Sequence, residues 1–252
     1  MVTIRQRVKA GEATVGVWLG YGSPLVAEDC GKAGFDWAVI DTEHGMGTEA
    51  DVLGQLLALG GTATAALVRV ERSDRLRIGR MLDLGADGLV VPRLDTADEV
   101  REAISWMRFP PVGVRGVALG VRGQGVAHEE VGVLDERTLG IFQIESGLAV
   151  RNAEEIAAID GVDVLFVGPA DLSHSLGVPG RYEDPVFDHA LRAVGQAAAT
   201  SGKQAGILLK TPTEVPRYRA LGYGFIGMGS DYGHLRAATR AAVTETRERL
   251  GC

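Results

Sequence analysis

The stretch AALVRVERSDRLRIGRMLDLGADGLVVPR, residues 65–93, holds one full repeat of the pattern that decides the fold. Ala65–Val70 is a short apolar run without polar–apolar alternation, as expected of a strand buried on both faces. Ser73-Asp74 offers N-cap chemistry, and Arg75–Leu84 then carries apolar residues at helical spacing. Gly85 stands where a helix ends in a left-handed turn, and Gly88–Arg93 is a second apolar strand. A strand, a helix and a second strand in this order make a parallel pair joined by a right-handed crossover.

The same unit recurs in both directions along the chain. Strand-like runs fall at Val15–Leu19, Phe35–Asp41, Gly140–Glu145, Asp163–Gly168, Gln204–Leu209 and Tyr223–Gly229. Helical spacing fills the intervals at Pro24–Ala33, Thr48–Leu59, Thr96–Met107, Val150–Ile159, Val186–Thr200 and Thr213–Ala220, with a last helix from Leu235 to Leu250. Gly34, Gly60, Gly161, Gly202 and Gly222 each sit between a helix and the next strand, where left-handed caps are expected. About eight βα units in 252 residues favour a closed (β/α)8 TIM barrel in a single domain over an open sheet. The interval from Leu94 to Leu139 is long and glycine-rich, which points to an active-site loop or a subunit contact.

Composition narrows the function classes. The net charge is −7, which argues against a nucleic-acid surface or a polybasic membrane anchor. No apolar run reaches the roughly 20 residues of a membrane span, and the first residues lack the apolar core of a secretory signal. Cys30 and Cys252 are the only cysteines, too few for a disulfide framework or a cysteine zinc site. The cytoplasm is the expected compartment. The glycines between Gly113 and Gly125 carry no P-loop or dinucleotide fingerprint, so no nucleotide cofactor is expected.

In a barrel of this kind chemistry gathers where strands end. Reactive side chains stand at the ends of five successive strands: Asp41-Thr-Glu43-His44, Arg69, Arg93, Gln143-Ile-Glu145, and Gly168-Pro169-Ala170-Asp171. Glu145 and Asp171 are the candidate metal ligands, since two carboxylates leave most of an octahedral Mg²⁺ or Mn²⁺ shell to water and substrate. The same residues have plainer readings, Asp171 as a helix cap and Glu145 as the partner of an arginine. His44 beside Asp41 and Glu43 suits a carboxylate-held general base or a solvated loop residue. Arg69 suits either a structural ion pair or the neutralisation of an enolate.

On these blocks the sequence resembles the HpcH/HpaI aldolase family of class II pyruvate aldolases. The carriers are Gly16-Val-Trp-Leu-Gly20, Gly34-Phe-Asp-Trp-Ala-Val-Ile-Asp-Thr-Glu-His-Gly45, Met81-Leu-Asp-Leu-Gly-Ala86, Phe109-Pro-Pro-Val-Gly-Val-Arg-Gly116, Gln143-Ile-Glu-Ser146 and Val167-Gly-Pro-Ala-Asp-Leu-Ser173. The resemblance implies that Glu145 and Asp171 hold a divalent metal (Mg²⁺ or Mn²⁺, with Co²⁺ a further candidate). It implies that Gln143 and the backbone of Gly168, Pro169 and Ala170 cradle a pyruvate carboxylate, and that Arg69 stabilises the enolate. His44 would move a proton, oriented by Asp41 and Asp83, with Trp18 and Leu208 lining the substrate pocket. It further implies a 2-oxo acid and an aldehyde as substrates, and a homo-oligomer, usually a hexamer, in which the last helix is exchanged between subunits.

The segment Val117–Leu134 is shorter and more glycine-rich than this family's basic, aromatic-containing loop, so the resemblance reaches the enolate chemistry further than the acceptor. Related enolate chemistry on oxaloacetate, by decarboxylation or citrate-type condensation, is one alternative. A class I aldolase forming a Schiff base at Lys210, one of only four lysines, is a second. A barrel without catalysis, serving as a binding or assembly protein, is a third.

Overall fold

The computed structural model describes residues 2–124 and 131–251. Eight parallel strands close a barrel in sequence order, each paired with the next and β8 paired with β1. They are β1 (Thr14–Leu19), β2 (Trp37–Asp41), β3 (Ala65–Arg69), β4 (Gly88–Val91), β5 (Leu139–Ile144), β6 (Val164–Val167), β7 (Gln204–Leu209) and β8 (Tyr223–Ser230). Each run read from the sequence is a strand, with ends moved by up to two residues. The sequence order follows from crossovers that place each strand beside its predecessor with the same hand.

Helices alternate with these strands: α1 (Ile4–Lys9), α2 (Pro24–Lys32), α3 (Glu49–Leu59), α4 (Arg75–Asp83), α5 (Ala97–Met107), α6 (Val131–Arg137), α7 (Gly147–Arg151), α8 (Ala153–Ala157), α9 (Pro169–Ser175), α10 (Pro185–Thr200), α11 (Val215–Ala220) and α12 (Asp231–Leu250). Asp74 caps α4 by accepting from Leu76 and Arg77 N–H, as its position predicted. The helix expected over 150–159 is two short helices meeting at Asn152, and α1, α6 and α9 had no forecast. Gly34, Gly85, Gly161, Gly202 and Gly222 have positive φ. Gly60 does not; it ends α3 at φ −60 in right-handed geometry, and the chain turns afterwards through Gly61 and Thr62.

Two apolar cores hold the layers. One lies between strands and helices; the other fills the barrel with Trp18, Trp37, Val39, Leu67, Phe166 and Phe225, and α1 adds Ile4 and Val8. Trp37 stacks on Phe225 with centroids 4.1 Å apart. That ring occupies the space of a missing side chain: a Cβ on Gly16 would come within 2.0 Å of it. Arg5 of α1 forms a buried pair with Asp163, Nε to Oδ2 at 2.8 Å, at the end where β6 begins.

The long interval after α5 joins a helix to the next strand, and such connections leave the helix at the end of the barrel opposite the strand tips. Its described part packs there: Gly123 N–H donates to Asp83 O, and Arg122 Nη1 to Leu84 O at 2.8 Å. The active-site-loop reading is therefore corrected for this part, and residues 125–130 lie outside the described ones. Only Asp231 of α12 is buried. The rest of this helix is exposed, Leu235, Val243 and Leu250 included. Among the described residues no helix is long and apolar enough to cross a membrane.

Candidate active site

The tips of β2 and β3 build the first part of the site. Asp41 and Arg69 are direct partners in the strand register, so their side chains leave the barrel side by side. Arg69 grips Asp41 through two parallel hydrogen bonds, Nε to Oδ1 at 2.9 Å and Nη2 to Oδ2 at 2.6 Å. Its remaining nitrogen lies 3.0 Å from Glu43 Oε2. Burial alone would lower the guanidinium pKa, but Asp41 foremost, with Glu43 and Glu145, raises it on balance. Arg69 is therefore a fixed positive charge at the mouth.

Asp41 Oδ1 also accepts the backbone N–H groups of Glu43 and His44, at 3.1 and 3.2 Å. The carboxylate thus shapes the loop that carries His44 and does not touch its imidazole. The carboxylate near the ring is Glu43, 3.9 Å from Nε2, and His44 itself is 60% exposed. Asp83 is not brought to this cluster. It ends α4 at the far end of the barrel, where Arg115 Nη2 and Gln124 Nε2 donate to Oδ1 at 2.9 and 2.7 Å. A helix runs back from the strand tips before the next strand begins, so any contact between Asp83 and His44 would have to be made between copies.

The ends of β5 and β6 supply the second part. Gln143 Nε2 donates to Glu145 Oε1 at 2.7 Å, which leaves the buried Gln143 Oε1 without a hydrogen-bond partner among the described residues. The Glu145 carboxyl is pushed up to about 7, first by burial and then by Asp171 and Glu43, against the opposing effects of Arg69 and the Arg93 N–H. Arg93 reaches this position in a left-handed conformation, φ 58. Gly168 caps α9 against Glu145: a Cβ there would lie 2.4 Å from Glu145 Oε1. Asp171, in the first turn of α9, is exposed and aimed at the same opening.

Asp41, His44, Arg69, Gln143, Glu145 and Asp171 line one cavity of 500 Å³ together with Trp18, Phe166 and Leu208. Trp18 and Leu208 meet over the bare backbone of Gly227, whose missing Cβ leaves room for both. A larger groove of 720 Å³ runs along α4, but its acidic groups Glu49, Glu71 and Asp83 are paired with Arg77, Arg80 and Arg115. The convergence of unmatched carboxylates selects the smaller cavity.

Glu43, expected beside His44, is also a partner of Arg69. Two contributors have no counterpart in the sequence reading. Asp231 is buried at the start of α12 and accepts the Gly20 and Tyr21 N–H groups at 2.9 and 3.0 Å, which positions the tip of β1. The first turns of α12 also line the cavity with Tyr232 and His234. Ser230-Asp231 after a strand was a visible signal, of the same kind as Ser73-Asp74.

The donor set fits a hard divalent cation. A buried carboxylate whose proton is held up by its carboxylate neighbours is stabilised by a positive ion, and both groups offer oxygen. Among the described residues no group of three or more His, Cys, Asp or Glu converges as a metal cage, so Glu145 and Asp171 would stand as a pair.

Comparison with known proteins agrees over nearly the whole chain. Residues 14–238 match the model of the HpcH/HpaI aldolase/citrate lyase family. The hydroxypyruvate/pyruvate aldolase of Delftia acidovorans is 38% identical over 244 residues, 95% of this chain and 90% of its own. The 5-keto-4-deoxy-D-glucarate aldolase of Klebsiella pneumoniae is 37% identical over 233 residues, 92% of this chain and 91% of its own. A crystal structure from Burkholderia cenocepacia, described as an HpcH/HpaI aldolase/citrate lyase family protein, superposes with TM-score 0.94 at 36% identity, covering 98% of this chain and 100% of that one.

Proposed function

Because the chain belongs to the HpcH/HpaI aldolase/citrate lyase family and is an aldolase, we propose that this cavity joins or separates a pyruvate-like 2-oxo acid and an aldehyde. The observation that carries the reading is the pair Glu145 and Asp171, two unmatched carboxylates facing one opening beside the fixed charge of Arg69. A divalent cation such as Mg²⁺, Mn²⁺ or Co²⁺, held by Glu145 and Asp171, would supply Lewis acidity toward the 2-oxo and carboxylate oxygens.

The chain's own groups account for the rest. Gln143 and the backbone turn at Gly168 and Ala170, shaped by Pro169, hold the acid's carboxylate, and Trp18, Phe166 and Leu208 keep water from the reacting carbons. Loss of a methyl proton to His44 places negative charge on the former keto oxygen, beside which Arg69 stands ready-oriented; such a donor is worth roughly 2–4 kcal/mol in the transition state. When the new carbon–carbon bond forms, the aldehyde oxygen takes up a proton. His44, at the open edge with Glu43 behind it, is placed to deliver that proton, and in the cleavage direction it removes it. Asp41 acts through Arg69 and through the backbone of the His44 loop.

Lys210 follows the end of β7 in the open rather than enclosed, so nothing prepares its amine as a Schiff-base nucleophile. We further place the chain as a single-domain subunit of a homo-oligomer, a hexamer by resemblance, with α12 lying on a neighbouring copy. Its exposed Leu235, Val243 and Leu250 support this.

Exchange of pyruvate methyl protons in D₂O tests the reading without knowledge of the aldehyde. Exchange should appear with Mg²⁺ or Mn²⁺, stop with a chelator, and be lost in Glu145→Ala and Asp171→Ala. Exchange that survives both substitutions would sink the site assignment, and borohydride trapping at Lys210 would sink the mechanism.

A further inference from the structure

Leu208 and Lys210 line the active cavity and also a side pocket of 120 Å³ walled by Tyr182, Tyr218 and Glu214. The site therefore has two arms that meet at the end of β7. Two basic side chains other than histidine line the active cavity, Arg69 and Lys210. Arg69 is committed to Asp41 and Glu43. Lys210 is not: among the described residues no carboxylate lies within ion-pair distance of its Nζ. Glu214, the acid closest to it in sequence, turns its carboxylate to the backbone N–H groups of Lys210 and Thr211, at 3.0 and 2.8 Å. The ammonium instead stands 5.3 Å from the Tyr182 ring centroid, a cation–π contact that holds it at the junction of the two arms.

The charges of the cavity give this position a use. Arg69 answers Asp41, Arg93 at 3.3 Å answers Glu43, and the cation proposed for Glu145 and Asp171 answers those two. A 2-oxo acid then adds one negative charge, and its aldehyde partner must approach from the open side, toward Leu208 and Lys210. A neutral aldehyde needs no further cation there. An aldehyde bearing its own carboxylate does, and Lys210 is the unmatched one.

We propose that Lys210 is a specificity-determining residue that selects acceptor aldehydes carrying a carboxylate, which it binds at the mouth of the Tyr182–Tyr218 pocket. The proposal rests on the enolate reading above. A lysine without a specific partner at this edge would be solvated and indifferent to the acceptor; a cation at the junction discriminates by charge.

The test compares kcat/KM for glyoxylate and glycolaldehyde, two-carbon aldehydes that differ in charge, with pyruvate and Mg²⁺. Exchange of pyruvate methyl protons by the parent protein is measured first, without aldehyde. In Lys210→Met the glyoxylate-to-glycolaldehyde ratio should fall about five- to tenfold, the size of one charge-assisted hydrogen bond at a half-open site. Lys210→Arg should restore it to within about threefold, since the charge remains. An unchanged ratio in Lys210→Met, or equal losses with both aldehydes, overturns the proposal while parent exchange leaves the enolate reading standing. A parent that exchanges no methyl protons overturns both.

Discussion

Gly168→Ala isolates the Glu145 carboxylate without touching its charge. A methyl group on Gly168 would lie 2.4 Å from Glu145 Oε1, 2.9 Å from Cγ and 3.1 Å from Cδ. Ordinary contact begins at 3.4 Å, so the carboxylate must withdraw by about 1 Å. The backbone itself accepts alanine, since Gly168 has φ −87 and ψ 97, open to any residue. The exchange of glycine for alanine at a helix cap, together with the crowding, should cost on the order of 1–3 kcal/mol of stability. Misplacing a reacting group by 1 Å can cost about a hundredfold in rate. The variant should therefore fold, yet lose roughly two orders of magnitude in pyruvate proton exchange and bind Mn²⁺ far more weakly by calorimetry. Gly147→Ala is the control: its Cβ would meet nothing closer than 3.5 Å. If Gly168→Ala binds metal and exchanges protons within about threefold of the parent, Glu145 is not a ligand in the position described.

Three further outcomes follow from particular contacts. Arg69→Ala should slow pyruvate proton exchange by about 10²–10³, and should also destabilise the fold by roughly 3–5 kcal/mol because Asp41 and Glu43 lose their counter-charge; near-parental exchange in folded protein would deny Arg69 its role. Arg5→Ala strands the buried Asp163 carboxylate, and a similar 3–5 kcal/mol should lower the melting temperature by on the order of 10 °C, whereas a drop under about 3 °C would show that water compensates Asp163. Burial foremost, with Asp231 and Asp29, pushes the Cys30 thiol up to about 11. Most of it therefore stays protonated below that pH, and in Cys252→Ser protein alkylation of Cys30 should be slow at pH 8 and accelerate as pH rises toward 11; fast labelling at pH 8 would contradict this.

Much of the molecule was legible before any coordinates, for definite reasons. A strand covered on both faces must be apolar throughout and a helix on its outside must be amphipathic, so the alternation of the two periods along residues 15–250 already implied a parallel barrel. Because such a barrel presents its strand ends at one face, Asp41, Arg69, Gln143, Glu145 and Asp171 could be assigned to a common mouth from their positions alone. The pairing of Asp41 with Arg69 was not legible, because it depends on the register of β2 against β3. Nor was the placement of Asp83 or of the described residues that follow Met107. Both lie at the opposite end because they close a helix rather than a strand, a distinction that a long glycine-rich interval does not announce. The close approach of Gly168 to Glu145, the burial that lifts the Glu145 carboxyl, and the unmatched charge of Lys210 arise only when three strand ends meet. Local sequence sets periodicity and therefore topology; distances between side chains far apart in the chain are set by register and packing, which belong to the folded barrel.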